Sequence, residues 1–306
     1  MKNILVMGGS TFVSSSLAKY LIEKGYTVDI LTRGLKEIKY SGYRNHIICN
    51  RKDENELKKS LENNDYKFIF DISAYTKEDV EILLNCVNKK KLGKYIFCSS
   101  GAVYKESNNI VNEEYEVGEN KNWGKYGIDK REAEDYIINA DIPYAIFRPS
   151  YIYGEENNLY REAYFFDRIK ENKVIPLPYG NNTKVQFIYI EDILKVFESV
   201  MYTSENKGIY NVTNPELVSW DYLIKACSLS VREEAIIKNI DSNKYEVRTY
   251  FPFRDVTYML NIDKLINDGL YVPKISLLEG LEKSYKWYVE NNIKLSDIRM
   301  NKVDEL

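Results

Sequence analysis

Histidine is almost absent from this chain of 306 residues, which contains only His46. One histidine cannot form a histidine-ligated metal cluster, and it argues against a Ser–His catalytic pair. Cysteine is also scarce, and Cys49, Cys86, Cys98 and Cys227 form no close pairs. This spacing is typical of reduced thiols in a cytosolic protein. We therefore expect no metal site, core packing for the cysteines and no catalytic role for His46.

Long apolar runs and an excess of charge of either sign are missing as well. The first apolar run stops at Gly8, which is too short for a signal peptide, and no segment is long enough to span a bilayer. Without a signal peptide, the final VDEL is interpreted as chance. A net charge of −3 gives no general attraction to nucleic acid or to an anionic membrane. We expect a cytoplasmic protein with neither partner.

Short apolar segments alternate with amphipathic ones through the first half of the chain. The predicted strands are residues 3–7, 27–31, 46–49, 67–72, 94–100 and 144–148. One predicted helix follows the first strand directly, and further helices are predicted near 53–63, 77–90 and 123–140. Continuous apolar strands separated by helices predict an α/β fold with a doubly wound, Rossmann-type parallel sheet. Thr76 and Asp79 have the spacing of a capping box.

The pattern loosens after Arg148, where prolines and the GNN at 180–182 appear. A strand at 185–190 and a helix from about 191 follow. We predict a dinucleotide-binding domain over residues 1–150, to which about 184–212 also contribute. Residues 151–306 would then form mainly a smaller, interleaved substrate lobe.

The segment ILVMGGSTFVSSSL (4–17) has the outline of a phosphate-binding loop between a strand and a helix. Gly8 can take the place of the first glycine of such loops, but Thr11 and Ser14 occupy the second and third places. Their hydroxyls could bond a phosphate beside the helix N-terminus. The loop alone does not distinguish a cofactor loop from an ordinary strand–helix turn.

Tyr126 and Lys130 are four residues apart, so a helix places them on one face. Such a pair is common on solvated helices, but here it follows a strand that ends at Ser99 and Ser100. Ligands of open α/β sheets bind at the carboxyl ends of strands. A lysine ammonium would favour the phenolate of a tyrosine whose ordinary pKa is about 10. A serine hydroxyl would orient the alcohol or carbonyl of a substrate.

In its motifs the chain resembles the extended short-chain dehydrogenase/reductase family, the group of NAD-dependent epimerases and dehydratases. The segment VMGGSTFVSSSL (6–17) is similar to the family's glycine-rich loop. The segment FCSSGAVY (97–104) is similar to the Ser-Ser-x-x-Val-Tyr end of a strand in the family, and YGIDK (126–130) is similar to its Tyr-x-x-x-Lys motif. FRPSYIYG (147–154), VQFIYIEDI (185–193) and the closing segment 261–288 resemble three further motifs. Six motifs in the family's order favour the cofactor-loop interpretation.

The resemblance implies an NAD(P)-dependent epimerase or oxidoreductase acting on a sugar-like, possibly nucleotide-sugar, substrate. It implies that Ser100, Tyr126 and Lys130 are the catalytic residues. The cofactor-binding residues that it implies are Gly8, Ser10, Thr11, Phe12, Val13, Thr32, Arg33, Ser73, Ala74 and Lys130.

Two departures from the family bear on the reaction. Dehydratases of the family carry an Asp–Glu pair directly after the catalytic Ser or Thr, and decarboxylating members keep a Glu, whereas this chain has Gly101 and Ala102. Neither residue can act as an acid or base, which disfavours both reactions. Epimerisation and simple carbonyl–alcohol redox chemistry remain.

Substrate and cofactor preference also depend on substituted positions. Tyr151 and Val185 stand where nucleotide-sugar members usually have Asn and Arg. Tyr151, Lys184 and Arg254 are our candidate substrate residues. The alternative for the two cations is that they are surface charges, which is the more common case. At the end of the second strand, Arg33 suits a 2′-phosphate, so NADP is favoured over NAD; the alternative is an arginine that stacks on adenine or faces solvent.

The segments LTRG (31–34) and FIFDISAYTKEDV (68–80) resemble a subgroup that includes a plastid stem-loop RNA-binding protein. The alternative to the enzymatic function is therefore that the chain is a non-catalytic or RNA-binding member, although the acidic net charge counts against RNA binding.

The family often dimerises through two helices. A homodimer is accordingly expected, through apolar stripes on the helices 77–90 and 123–140, namely Val80, Leu83, Leu84, Val87, Ala133, Tyr136 and Ile137.

Overall fold

The computed structural model describes residues 3–306, so residues 1 and 2 of the predicted first domain lie outside the described residues. The strands of this part are β1 (Asn3–Met7), β2 (Thr27–Thr32), β3 (Asn45–Ile48), β4 (Phe68–Asp71), β5 (Lys94–Cys98), β6 (Tyr144–Pro149), β7 (Tyr151–Tyr153), β8 (Val174–Tyr179), β9 (Phe187–Tyr189), β10 (Lys207–Val212) and β11 (Ile236–Asp241). The helices are α1 (Phe12–Glu23), α2 (Glu54–Leu61), α3 (Lys77–Cys86), α4 (Lys125–Asn139), α5 (Glu162–Lys170), α6 (Ile190–Ser199), α7 (Trp220–Val231), α8 (Asp263–Asn267) and α9 (Leu277–Glu290).

Seven parallel strands form the central sheet in the order β10-β6-β5-β4-β1-β2-β3. The order reverses between β1 and β4, which is the position where doubly wound sheets bind ligands outside their carboxyl ends. Strands β4, β5 and β6 are buried throughout, as their continuous apolar sequence requires. The predicted α/β Rossmann-type fold is confirmed.

Several predicted element boundaries are wrong. The strand predicted at 94–100 ends at Cys98. Helix α3 ends at Cys86 rather than near residue 90, because Val87 is already extended. The strand predicted at 185–190 is only Phe187–Tyr189, since Val185 instead forms isolated bridges with Val218 and Tyr258. The predicted capping box is confirmed, with Asp79 N–H donating to the Thr76 hydroxyl and the Asp79 carboxylate accepting from Thr76 N–H.

The second half of the chain builds a lobe over one end of the sheet. Strands β8 and β11 pair in parallel, β7 pairs with β9, and α7 packs against α5 and α9. Strand β10 returns to the central sheet, so the two halves interleave along the chain. We retain the domain boundaries at about 150, 184 and 212 as a proposal. Among residues 3–306, no helix is both long and apolar enough to cross a membrane.

The apolar residues on two helices that were predicted to form a homodimer interface are largely buried within the chain's own fold. Val80, Leu83, Leu84, Ala133 and Ile137 are fully buried. Only the half-buried Val87 and Tyr136 retain some surface. The named residues therefore pack their own helices within the fold and leave little apolar area for a second copy.

Candidate active site

A cavity of about 870 Å³ lies at the carboxyl ends of the central strands, beneath the C-terminal lobe. It brings together most of the residues predicted from sequence. Those that line it are Gly8, Ser10, Thr11, Phe12, Val13, Thr32, Arg33, Ser73, Ser100, Tyr126, Lys130, Tyr151 and Arg254. Ala74 and Lys184 are not among the lining residues.

The loop between β1 and α1 depends on Gly8. Its φ of +110° is unfavourable for a side chain, and a Cβ there would lie 2.8 Å from the Ser14 side chain. The Ser14 hydroxyl accepts from Gly9 N–H at 2.9 Å and donates to the Thr11 carbonyl at 2.9 Å. Ser14 therefore holds the loop in shape, and in this geometry its proton is not available to a phosphate.

The start of α1 is suited to an anion. Its first turn contains no acidic residue, and Thr11 at the N-cap makes no capping hydrogen bond through its side chain. Backbone N–H groups at a helix N-terminus bind phosphate because they are unpaired and lie at the positive end of the helix dipole. The Gly8 turn and this helix end together fit a pyrophosphate group.

Thr32 and Arg33, at the end of β2, both line the cavity but differ in their contacts. The Thr32 hydroxyl bonds His46 Nε2 at 2.8 Å, so His46 has a structural contact here. Arg33 is exposed at the cavity and forms no ion pair with any residue in the described part of the chain.

Arg51 is a lining residue that the sequence analysis missed. Its guanidinium donates to both Asp71 carboxylate oxygens, at 2.8 and 2.7 Å, and to the Ser73 hydroxyl at 3.0 Å. These bonds tie the end of β3 to the end of β4. Ser73 therefore lines the cavity, and its hydroxyl oxygen accepts a hydrogen bond from Arg51.

Lys130 is almost fully buried on α4. Its ammonium donates to the carbonyls of Ala74 and Cys98, each at 2.7 Å, and lies 5.2 Å from the centre of the Tyr75 ring. Burial lowers the pKa of Lys130. Ala74 therefore enters the site through its backbone, behind the lining, where it fixes the direction of the Lys130 side chain.

Tyr126 is brought to the cavity by its neighbour in the sequence. A Cβ on Gly127 would overlap the Ala102 carbonyl, so glycine lets the first turn of α4 approach the short 3₁₀ turn Gly101–Val103. Although 38% of Tyr126 is exposed, desolvation of its phenol oxygen raises its pKa to about 12. The neighbouring Ser100 side chain and the charge of Arg161 act in the opposite direction on that pKa.

A buried ion pair fixes α4 against the sheet. Arg148 of β6 donates to both Glu134 oxygens, at 3.0 and 2.6 Å, and the Ser99 hydroxyl donates to Glu134 at 2.6 Å. Both members of the pair are at most 1% exposed. Because Glu134 follows Lys130 by one helical turn and Ser99 precedes Ser100, this network sets the catalytic candidates relative to one another.

The far wall of the cavity is cationic and aromatic. The Arg161 guanidinium lies 5.2 Å from the centre of the Tyr151 ring, and that of Arg254 lies 4.7 Å from the centre of the Trp123 ring. Neither arginine pairs with a carboxylate among residues 3–306. Arg161 was missed because no motif surrounds it. Lys184 lies away from this wall and uses its carbonyl to accept from Tyr258 N–H.

This fold and site define a class of protein, the dinucleotide-binding enzymes of the extended short-chain dehydrogenase/reductase type. The sequence model of the NAD dependent epimerase/dehydratase family matches residues 4–213, more than half of the chain. The chain belongs to this family, as its motifs predicted.

The proteins to which this chain is similar are named for different functions. The chloroplast stem-loop binding protein of 41 kDa b from Arabidopsis thaliana is 29% identical over 301 residues, which cover 93% of this chain and 78% of the relative. UDP-glucose 4-epimerase of Thermotoga maritima, solved with UDP-glucose, has a TM-score of 0.79 at 20% identity and covers 95% of this chain and 100% of its own. The dTDP-glucose 4,6-dehydratase of Bacillus anthracis, solved with NAD, has a TM-score of 0.79 at 18% identity. The match covers 95% of this chain and 98% of the dehydratase chain. At these identities the two solved structures establish the shared fold.

Proposed function

We propose that the chain is an NAD(P)-dependent epimerase or oxidoreductase that acts on a nucleotide sugar through Ser100, Tyr126 and Lys130. The observation that carries the proposal is that one cavity is lined by these three residues and by the Gly8–Val13 loop. The family membership and the NAD bound in the Bacillus anthracis structure support a nicotinamide dinucleotide as the cofactor.

The three residues have separable roles in this proposal. A bound nicotinamide would accept and return a hydride at the substrate carbon. Tyr126 would exchange a proton with the hydroxyl on that carbon, and Ser100 would hydrogen-bond the same oxygen. Lys130 would act mainly by position, since its ammonium already donates to two carbonyls and has one remaining proton to offer the ribose of a cofactor.

The cationic wall supports an anionic substrate. Arg161 and Arg254 lack carboxylate partners among the described residues, and arginine recognises phosphate oxygens through paired N–H groups. The buried Tyr151 hydroxyl beside them also has no hydrogen-bond partner in this part of the chain. A nucleoside diphosphate sugar, such as the UDP-glucose bound in the Thermotoga relative, has the charge and the hydroxyls that this wall would recognise.

Two finer preferences complete the proposal. Gly101 and Ala102 provide no carboxylate beside Ser100, which disfavours dehydration and decarboxylation. The exposed, unpaired Arg33 favours NADP over NAD because it could bind the 2′-phosphate. A cytoplasmic location and a homodimer remain predictions.

The experiment is to incubate the protein with NAD or NADP and either UDP-glucose or dTDP-glucose, and to analyse products by mass and by NMR. An epimer of unchanged mass, or a product differing by two hydrogens, supports the proposal. A product lighter by one water molecule would overturn the preference against dehydration.

Stem-loop RNA binding is the second candidate function, favoured by the similarity to the Arabidopsis protein. A labelled stem-loop RNA, titrated in the same buffer, tests it directly. Tight RNA binding together with no detectable affinity for NAD or NADP would replace the enzymatic proposal.

A further inference from the structure

A second cavity, of about 330 Å³, adjoins the main cavity in the C-terminal lobe. Four residues line both cavities, namely Tyr151, Leu159, Arg161 and Arg254. The other side of the second cavity comes from Arg248 and from residues 296–299, which follow α9. We call it the arginine cavity, because it is lined by the guanidinium groups of Arg161, Arg248, Arg254 and Arg299.

The charge of the arginine cavity is unbalanced. Within residues 3–306, Asp297 is the one carboxylate that lines it, and it accepts from Arg299 at 2.8 Å and from Arg248 at 3.3 Å. Arg161 and Arg254 have no carboxylate partner in the same range. Burial and the charges of the other three arginines lower the pKa of Arg248 to about 10, so it is still charged at neutral pH. Four cations beside one anion favour a ligand with more than one negative charge.

Two buried donors at this cavity lack acceptors. Neither the Tyr151 hydroxyl nor Arg248 Nε has a hydrogen-bond partner in the described part of the chain. The terminal nitrogens of Arg248 are already used, since they donate to the Phe251 carbonyl at 3.2 Å and to Asp297. A buried donor without an acceptor is unfavourable. Both groups therefore favour a ligand that brings acceptor oxygens.

Phosphate groups supply both the charge and the oxygens, and arginine binds them through paired N–H groups. A diphosphate also compensates more of the positive charge than a single carboxylate does. Because Arg161 and Arg254 line both cavities, one ligand can extend from the reacting groups of the main cavity into the arginine cavity.

We propose that the arginine cavity is a diphosphate-binding subsite of the active site. Arg248, Arg299 and the Tyr151 hydroxyl bind phosphate oxygens of the substrate, and Asp297 competes with the phosphates for the two arginines. The proposal rests on the proposed function, from which it takes the nucleotide sugar. Its new content is that Arg248 and residues 296–299, which lie outside every motif found in the sequence, complete the substrate site.

The test is calorimetry with inorganic pyrophosphate, on protein saturated with a nicotinamide dinucleotide so that the loop at Gly8 is already filled. Arg248→Gln and Arg299→Gln should each weaken pyrophosphate binding about tenfold, because each removes charge-assisted hydrogen bonds. If Arg248→Gln fails to fold, the more exposed Arg299 carries the test.

Tyr151→Phe removes a hydroxyl that makes no hydrogen bond within residues 3–306. It should weaken pyrophosphate binding about fivefold, through the loss of one donor to the phosphate. The same calorimetric titration measures this loss, and an unchanged affinity would remove Tyr151 from the proposed subsite.

Asp297→Asn should have the opposite effect and strengthen pyrophosphate binding about fivefold. The substitution removes the competing negative charge, whereas the amide oxygen can still accept from Arg299 N–H, as the carboxylate does at 3.1 Å. If the contacts of Asp297 with the arginines only maintained the fold, Asp297→Asn would weaken binding or leave it unchanged, and either result would contradict the competition.

Arg232→Gln is the matched control, because it makes the same charge change at an exposed arginine of the same lobe that lines neither cavity. It should leave pyrophosphate binding unchanged. The proposal would be overturned by undetectable pyrophosphate binding, by unchanged binding in Arg248→Gln and Arg299→Gln, or by an equal loss in Arg232→Gln. Binding needs no turnover, so an inactive chain that binds pyrophosphate through these arginines would count against the proposed function and not against the subsite.

Discussion

At the scale of single residues, the phenol of Tyr126 is subject to opposing influences. Burial raises its pKa to about 12, whereas Ser100 and Arg161 lower it. The sequence motif predicted that Lys130 lowers this pKa, but the Lys130 ammonium donates to the Ala74 and Cys98 carbonyls. In the C-terminal lobe, the charge of Arg161 lowers the pKa of Tyr126.

The raised pKa predicts a rate that increases with pH. In the proposed mechanism Tyr126 acts as a base when it is deprotonated, and near neutral pH only a small fraction is in that form. We expect kcat/KM for oxidation of a nucleotide sugar to rise by about tenfold per unit between roughly pH 7 and 9. Arg161→Met should move this profile to higher pH, whereas Arg161→Lys should leave it nearly unchanged. A profile that is flat in all three proteins would contradict the assignment.

Arg33 is the residue that we propose determines cofactor choice. Arg33→Glu should weaken NADP binding far more than NAD binding, because a carboxylate repels the 2′-phosphate. Lys36→Glu, which makes the same charge change in an exposed residue that does not line the cavity, is the control. Calorimetry with each dinucleotide provides the measurement. Equal losses for NAD and NADP in Arg33→Glu would remove the proposed preference.

At the scale of elements, the position of α4 sets where Tyr126 and Lys130 lie. Gly127 lets the helix approach the Ala102 carbonyl. In Gly127→Ala the first turn of α4 must move away from Ser100, and a displacement of about 1 Å can cost on the order of 10²-fold in rate. Lys125→Ala, on the exposed side of the same turn, should have little effect. Full activity of Gly127→Ala would show that this close approach is not needed.

The Arg148–Glu134 pair is the element-scale contribution to stability. Arg148→Met removes two hydrogen bonds to the buried Glu134 carboxylate and leaves Arg131, at 3.7 Å, as its weaker cationic partner. We expect a loss of about 3–5 kcal/mol in the free energy of unfolding. The more exposed pair of Lys125 and Asp129 on the same helix is a control, and Lys125→Met should cost less than about 1 kcal/mol. Urea unfolding measures both, and equal losses would mean that burial of the Arg148–Glu134 pair does not matter.

The sequence predicted these elements well where their patterns are local. Buried strands such as β5 and the capping box of α3 are encoded in short stretches, so they could be predicted directly. The contact between Gly127 and Ala102 could not, because it depends on how a helix meets a turn from another part of the chain. The pairing of Arg148 with Glu134 was missed for the same reason.

At the scale of the whole molecule, the two halves of the chain meet around one cavity. Glu156, from the C-terminal half, accepts from Ser15 and pairs with Lys19 on α1. The candidate cofactor loop and the candidate catalytic residues lie in the first half, where short motifs indicate them. Arg161 and Tyr258 come from the second half and reach the cavity only through tertiary packing, which no short motif encodes.

The most direct test of the central claim is to compare the unmodified chain with Tyr126→Phe, for both turnover of a nucleotide sugar and cofactor affinity. The substitution removes one hydroxyl at the cavity and little packing. We predict a loss of about 10²–10⁴ in rate, with NAD or NADP affinity and the fold retained. A fully active Tyr126→Phe, or a chain that binds neither dinucleotide, would contradict the account.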